Sequence, residues 1–176
     1  MLVLVVFQVL AAEGMVEKYL HNDVKSVGMV RKTFAGLWGF DSSDPTKTTA
    51  LIKEIRANPS KYVIKPQLEG GGNNIYGENI VKFLDKSSLE QLDAFIAMER
   101  IFPANNQNYL VRPDAKVELV DTVSELGVYG YLIGDMINEK ILMNKADGHL
   151  LRTKTSGVDE GGIMAGASSL DSPYLI

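Results

Sequence analysis

A lysine, a carboxylate and two amides gathered around three consecutive glycines are the first residues of this chain whose types and spacing could do chemistry. The stretch KYVIKPQLEGGGNN sets Lys65 ahead of Glu69, then Gly70, Gly71 and Gly72, then Asn73 and Asn74. Glycine opens backbone conformations closed to other residues, at an entropic cost that a plain surface turn does not require. Clustered backbone N–H groups hold phosphate oxygens, a lysine adds a cation, and hard oxygens suit magnesium. No GK[ST] follows the run, and the third glycine of a G-x-G-x-x-G pattern would fall at Ile75, so neither common phosphate motif is present. Taken alone, the run reads equally as a flexible surface turn, Lys65 as a solvated strand-end charge and Glu69 as a loop or helix-cap carboxylate.

A second group lies near the end. In HLLRTK, Arg152 and Lys154 are two residues apart, hence on one face of a strand. A small-residue segment containing EGG and AGA follows. Two cations beside such a segment suit an anionic substrate or a phosphoryl group in transfer; a solvent face with a loose tail would look the same. His149 sits beside Gly148 in an expected tight turn with no partner signature, and His21 falls in a polar loop, so neither reads as a base.

The elements that must position these groups follow from periodicity. Three- and four-residue apolar steps from Gln8 to about Gly36 predict two short helices, interrupted at Gly14 and at His21-Asn22-Asp23. The apolar start, MLVLVVF, reads as a buried strand or helix edge; it lacks the positive flank of a secretory signal. A loop spans 39–46, and Asp44-Pro45 opens a helix that stops near Asn58-Pro59. KYVIK predicts a strand, residues 78–84 a helix, 87–92 another helical or irregular piece, and DAFIAMERI a strand buried on both faces. FPANNQNYLVRPD predicts a polar loop. From Lys116 onward three or four strands follow in series, with turns at Gly127, MINE and ADG, as an antiparallel meander. The class is α+β, with helices in front and an antiparallel sheet behind.

With 176 residues there is room for one domain or two small ones, and a net charge of −4 argues against nucleic acid as a partner. No apolar run is long enough to span a bilayer, so no membrane role is expected. The chain has no cysteine, which removes thiol nucleophiles, disulfides and cysteine zinc sites and gives no sign of an oxidising compartment. A cytoplasmic place is the expectation.

KPQLEGGGNNIYGE, MERI, SELGVYG and NKADGHLLRTK followed by EGGIMAGASSLDSPY, with TFAGL at 33–37, resemble the C-terminal part of eukaryotic-type glutathione synthetase in several long blocks, in order, from about Gln8 on. The resemblance implies an ATP-grasp-like fold with glycine-rich and alanine-rich lid loops, after a helical segment over 1–60 and with the nucleotide-binding domain over 61–176. It implies ATP and Mg2+, and the ligation of glycine to γ-glutamylcysteine through an acyl phosphate. Carried over by position, Lys65 would bind ATP phosphate and Glu69 would ligate magnesium. Glu69, Gly70, Gly71, Gly72, Asn73, Asn74 and Tyr76 would cover the nucleotide. Met98, Glu99, Arg100 and Ile101 would hold adenine through backbone groups, and Glu125 would meet the ribose. Arg152 and Lys154 would be the catalytic pair, Arg152 on the dipeptide and Lys154 on ATP. Glu160 would belong to the ATP site, and Ile163 and Met164 would line the substrate.

The chain departs from the family's pattern in places. Arg100 stands for a usual lysine, Glu160 for an aspartate, Ile163-Met164 for a small pair and Leu68 for an arginine. A lysine expected near residues 4–6 is absent, as is the region that supplies two further magnesium ligands and most of the dipeptide site. The chain therefore reads as a C-terminal part with too few groups to catalyse alone. The alternative is a non-catalytic ATP-binding fragment or a partner of a full-length synthetase, and a homodimer is a further expectation from the resemblance.

Overall fold

The computed structural model describes residues 3–21, 23–67, 72–111, 116–159 and 168–173. The chain divides into two compact units, Met1–Ile101 and Phe102–Ile176.

The first unit opens with three helices rather than two: α1 (Val3–Ala11), α2 (Met15–Tyr19) and α3 (Val24–Arg31). Both interruptions hold a residue at positive φ: Gly14 (80°) is the N-cap of α2, and His21 (48°) lies just past its end. The apolar start is helical, but Val6, Phe7 and Val9 are exposed, not buried as expected. The Asp23 carboxylate caps α3 by accepting from the Lys25 and Ser26 amides. Arg31 ties the three helices together. Its guanidinium donates to both carboxylate oxygens of Glu17 (2.7 and 2.6 Å) and to the carbonyls of Ala11 and Ala12 at the end of α1 (3.3 and 3.2 Å).

Next come β1 (Leu37–Gly39), α4 (Pro45–Ala57), β2 (Tyr62–Pro66), β3 (Ile75–Tyr76), α5 (Glu78–Lys86), α6 (Leu89–Leu92) and β4 (Phe95–Glu99). The strands form an antiparallel sheet in the order β1-β4-β2-β3. β4 lies inside the sheet, which is why its sequence is nearly continuous in apolar character. Leu37, Met98, Val63 and Tyr76 pair in one row across the sheet, and Trp38, Ala97, Ile64 and Ile75 in the next. Neighbouring rows face opposite sides. The side of Ala97, Ile64 and Tyr62 packs with Ile55 of α4, Ile80 and Leu84 of α5 and Leu92 of α6. Residues on both sides of position 60 share this core. The Tyr62 hydroxyl donates to Glu54 at 2.5 Å, and burial followed by the Glu54 contact pushes its pKa up to about 12.

The second unit is a sheet of β5 (Asn105–Tyr109), β6 (Leu119–Asp135), β7 (Lys140–Thr155) and β8 (Ser168–Asp171), antiparallel in that order. The expected polar loop after β4 contains a strand, since β5 is an edge whose Asn-rich residues are mostly exposed. The expected antiparallel meander is there, but the three or four segments expected from 116 to 154 are two long strands, β6 and β7, joined as one hairpin. Gly127 pairs with Leu150 inside the ladder, and Tyr129 faces Asp147 and Gly148 in a bulge between the pairs Val128↔His149 and Gly130↔Ala146. Hence ADG kinks a strand instead of ending one. The real turn is 136–139, held by the Asp135 carboxylate, which accepts from the Ile137 and Asn138 amides.

The outer strands of this sheet meet. Asn108 of β5 donates to Asp171 of β8 at 3.1 Å, and Thr153 of β7 donates to the same oxygen at 2.8 Å. A flat sheet would hold its first and fourth strands roughly 14 Å apart, so this one is strongly coiled. Thr153, fully buried, also bonds Ser124 at 2.8 Å.

Among the described residues no helix is long and apolar enough to cross a membrane.

Candidate functional site

The register of the first sheet sorts the candidate residues. Lys65 and Val63 of β2, Tyr76 of β3 and Met98 of β4 all face away from the α4–α6 core. Asn74, two residues before Tyr76, falls on the same side, and its amide donates to the Tyr76 hydroxyl at 3.4 Å. Arg100, two residues after Met98, continues the alternation, its amide donating to Lys61 O at 2.8 Å. The Arg100 guanidinium lies over the Tyr76 ring, 5.5 Å from its centroid. Two cations, an amide and an aromatic ring thus share one face with the buried Val63 and Ile96, while the other face carries the α4–α6 core.

Gly72 has φ 93°, a backbone conformation that suits glycine, and Gly77, φ 52°, turns the chain from β3 into α5. Gly72 and Asn73 are exposed. Glu69, Gly70 and Gly71 lie outside the described residues.

At the 98–101 stretch the backbone alternates. The Glu99 amide donates to Gly36 O and the Arg100 amide to Lys61 O, both at 2.8 Å. Among the described residues no backbone acceptor meets the Ile101 N–H, so of these amides it is the one left for a ligand. The Glu99 carboxylate is on the core side of the register and accepts from Gly36 N at 3.0 Å.

Gln67 was not among the expected residues. It extends the row of Val63 and Lys65 past the end of β2, its amide donating to Ala94 O at 2.8 Å. Its side-chain Oε1 is buried without a hydrogen-bond partner among the described residues. A buried acceptor left open is costly, so this atom suits a ligand donor such as a hydroxyl or an amino group. The step of two from Lys65 along a strand is the sequence signal that could have found it. With Lys65 for a phosphate, the face fits a nucleotide. Among the described residues no three His, Asp or Glu gather into a metal site, and the expected ligand Glu69 lies outside them.

In the second unit Glu125 and Arg152 form a cross-strand pair and an ion pair. Val123 pairs with Lys154, so Glu125, Arg152 and Lys154 lie on one face, opposite the Ser124 and Thr153 hydroxyls. The Lys154 ammonium donates to the carbonyls of Val158 (2.5 Å) and Asp159 (3.1 Å). Glu160, Ile163 and Met164 lie outside the described residues.

Two antiparallel sheets, each with its chemistry-bearing residues on a single face, define an α+β domain suited to an anionic, donor-bearing ligand. The family of the eukaryotic glutathione synthase ATP-binding domain matches residues 5–175. Human glutathione synthetase is 41% identical over 170 residues, which cover 96% of this chain and 35% of the human protein. Glutathione synthetase of Dictyostelium discoideum is 39% identical over 168 residues, 96% of this chain and 34% of that one. The chloroplastic glutathione synthetase of Solanum lycopersicum is 41% identical over 172 residues, 96% and 30%. A glutathione synthetase-like effector of Globodera pallida, solved in its apo form, matches with a TM-score of 0.68 and 27% identity over 97% of this chain and 33% of that one. The chain belongs to the eukaryotic glutathione synthase family, as its ATP-binding domain. It spans about a third of the length of the curated relatives it matches.

Proposed function

We propose that the face carrying Lys65, Gln67, Asn74, Tyr76, Met98 and Arg100 binds Mg-ATP, and that the chain is the nucleotide-holding part of a ligase joining glycine to γ-glutamylcysteine. The single observation that supports this most is the register that gathers Lys65, Tyr76 and Met98, with their neighbours, on the side of the sheet opposite the α4–α6 core. Lys65 neutralises phosphate charge. Gln67 Oε1 accepts from the nucleoside, and the Ile101 N–H donates to the base. Glu69, with Asn74 nearby, would hold magnesium, which when bound offsets negative charge on the phosphate oxygens. Glu125, its carboxylate oriented by Arg152, meets the ribose.

A carboxylate is a poor electrophile, so the dipeptide is first phosphorylated at its cysteinyl carboxyl. The glycine amine then attacks that acyl phosphate and expels phosphate. Arg152 holds the dipeptide and Lys154 the nucleotide. Glu160, Ile163 and Met164, with the glycine-rich stretch, shield the acyl phosphate from water. These 176 residues alone hold the nucleotide without completing ligation, because positioning two reactants supplies a large part of such a rate gain. We place the chain in the cytoplasm, acting as a homodimer or beside a full-length synthetase.

Isothermal titration of the folded chain tests the nucleotide reading. Mg-ATP is expected to bind with measurable heat, and Lys65→Ala to weaken it about tenfold or more. No heat with a folded chain overturns it. ADP release that depends on both γ-glutamylcysteine and glycine would overturn the inactivity of the chain alone.

A further inference from the structure

Arg100, the residue just past β4, carries its guanidinium to a ring of β3, two strands away in the order β4-β2-β3. Strands are about 4.8 Å apart, so two long side chains, reaching from opposite sides of β2, are what bring the guanidinium and the ring together. Its guanidinium sits 5.5 Å from the Tyr76 centroid, within the range where a cation is drawn to a ring face. The Tyr76 hydroxyl in turn accepts from Asn74. β3 has only two residues, pairs among the described residues with β2 alone, and begins two asparagines after the glycine run. A strand so short has little ladder to hold it. The backbone of Arg100 is fixed independently, by its amide bond to Lys61 O.

We propose that Arg100 is a positioning residue: its guanidinium clamps the Tyr76 ring and, through Asn74, holds the exit of the glycine-rich stretch in place for the nucleotide. This rests on the nucleotide reading of that face. Arg100 joins the stretch that meets the base to the stretch that meets the phosphates, so that less ordering is left for the ligand to impose. A lysine keeps the charge but not the flat guanidinium that lies on a ring.

Two measurements test it. The first is hydrogen exchange of amides 73–77 in the nucleotide-free chain. Arg100→Met is expected to speed exchange about three- to tenfold there while leaving β4 protected; Arg100→Lys is expected to recover part of the protection. The second is Mg-ATP titration, in which Arg100→Met weakens binding by about the same factor. Tyr76→Leu does likewise, and the double variant adds little further, as expected of residues acting through one contact. Unchanged exchange and affinity in Arg100→Met, or fully additive effects in the double variant, overturn the clamp. General loosening that includes β4 reduces Arg100 to a structural residue and overturns its positioning role. Faster exchange in a chain that takes up no Mg-ATP overturns the nucleotide assignment and leaves the clamp standing.

Discussion

Ile64 in the first unit and Thr153 in the second occupy comparable places, each fully buried in an inner strand of a four-stranded antiparallel sheet. Ile64 is surrounded by Tyr62, Ile55, Ile80 and Leu92, whereas Thr153 meets a serine hydroxyl and a carboxylate. Every buried apolar side chain among the described residues belongs to the first unit. In the second, the buried ones are Thr122, Thr153 and Ser168, while Val128 (70%), Met136 (91%) and Ile137 (92%) are exposed. The first unit is held by non-directional burial, most of it on the α4–α6 side of its sheet. The second is held by directional bonds, and its ladder depends on which residue pairs with which.

The sharpest way to break this contrast is to delete hydrocarbon in both units. Ile64→Ala should cost roughly 2–5 kcal/mol in urea unfolding, and Ile133→Ala, on the half-exposed ribbon, no more than about 0.5 kcal/mol. Equal costs would end the distinction. Thr153→Val keeps the shape and removes the hydroxyl, leaving Ser124 and Asp171 short of a partner. It should cost about 1–3 kcal/mol, measured the same way, and a neutral result would show that the buried hydroxyls do not hold the second unit.

The smallest effect belongs to the front helices. The Arg31 guanidinium, above all by hydrogen bonding, holds the Glu17 carboxyl at about 2 against an ordinary 4.5. The unfolded chain therefore takes up this proton first on acidification. The stabilisation is complete above about pH 5 and is lost as the pH falls through 4.5 towards 2. Glu17→Gln should lower the Tm slightly at pH 7 and leave no difference from the parent chain at pH 2. A gap that persists in acid would show that the ion pair is not what Glu17 contributes.

Much of this was legible in the residues, unevenly. α4, α5, β2 and β4 carry their own signals: a proline after a capping aspartate, an apolar period, a β-branched run. β1 and β3, with three and two residues, are too short to show alternation and exist because longer strands pair with them. β5 was hidden by its asparagines, which disfavour strands except at an exposed edge. The long hairpin was hidden by Gly127 and Gly148, which look like turns until the ladder runs through the first and bulges at the second. The shared face of Arg152 and Lys154 follows from strand alternation alone. The shared face of Lys65, Tyr76 and Met98 needed the register of β2 with both β3 and the distant β4, which no local pattern carries.

The bond from Thr153 to Asp171 also works as a counting device. Residues of β7 between the bulge and Thr153 cannot be gained or lost singly without turning a different side chain to meet that carboxylate. Beyond the bulge, from Gly130 to Ala146, the two strands pair, among the described residues, only with each other. Matched insertions or deletions there would lengthen or shorten the ribbon and leave the hydroxyl contacts untouched, so length variation among natural or engineered versions of this domain should collect at that tip.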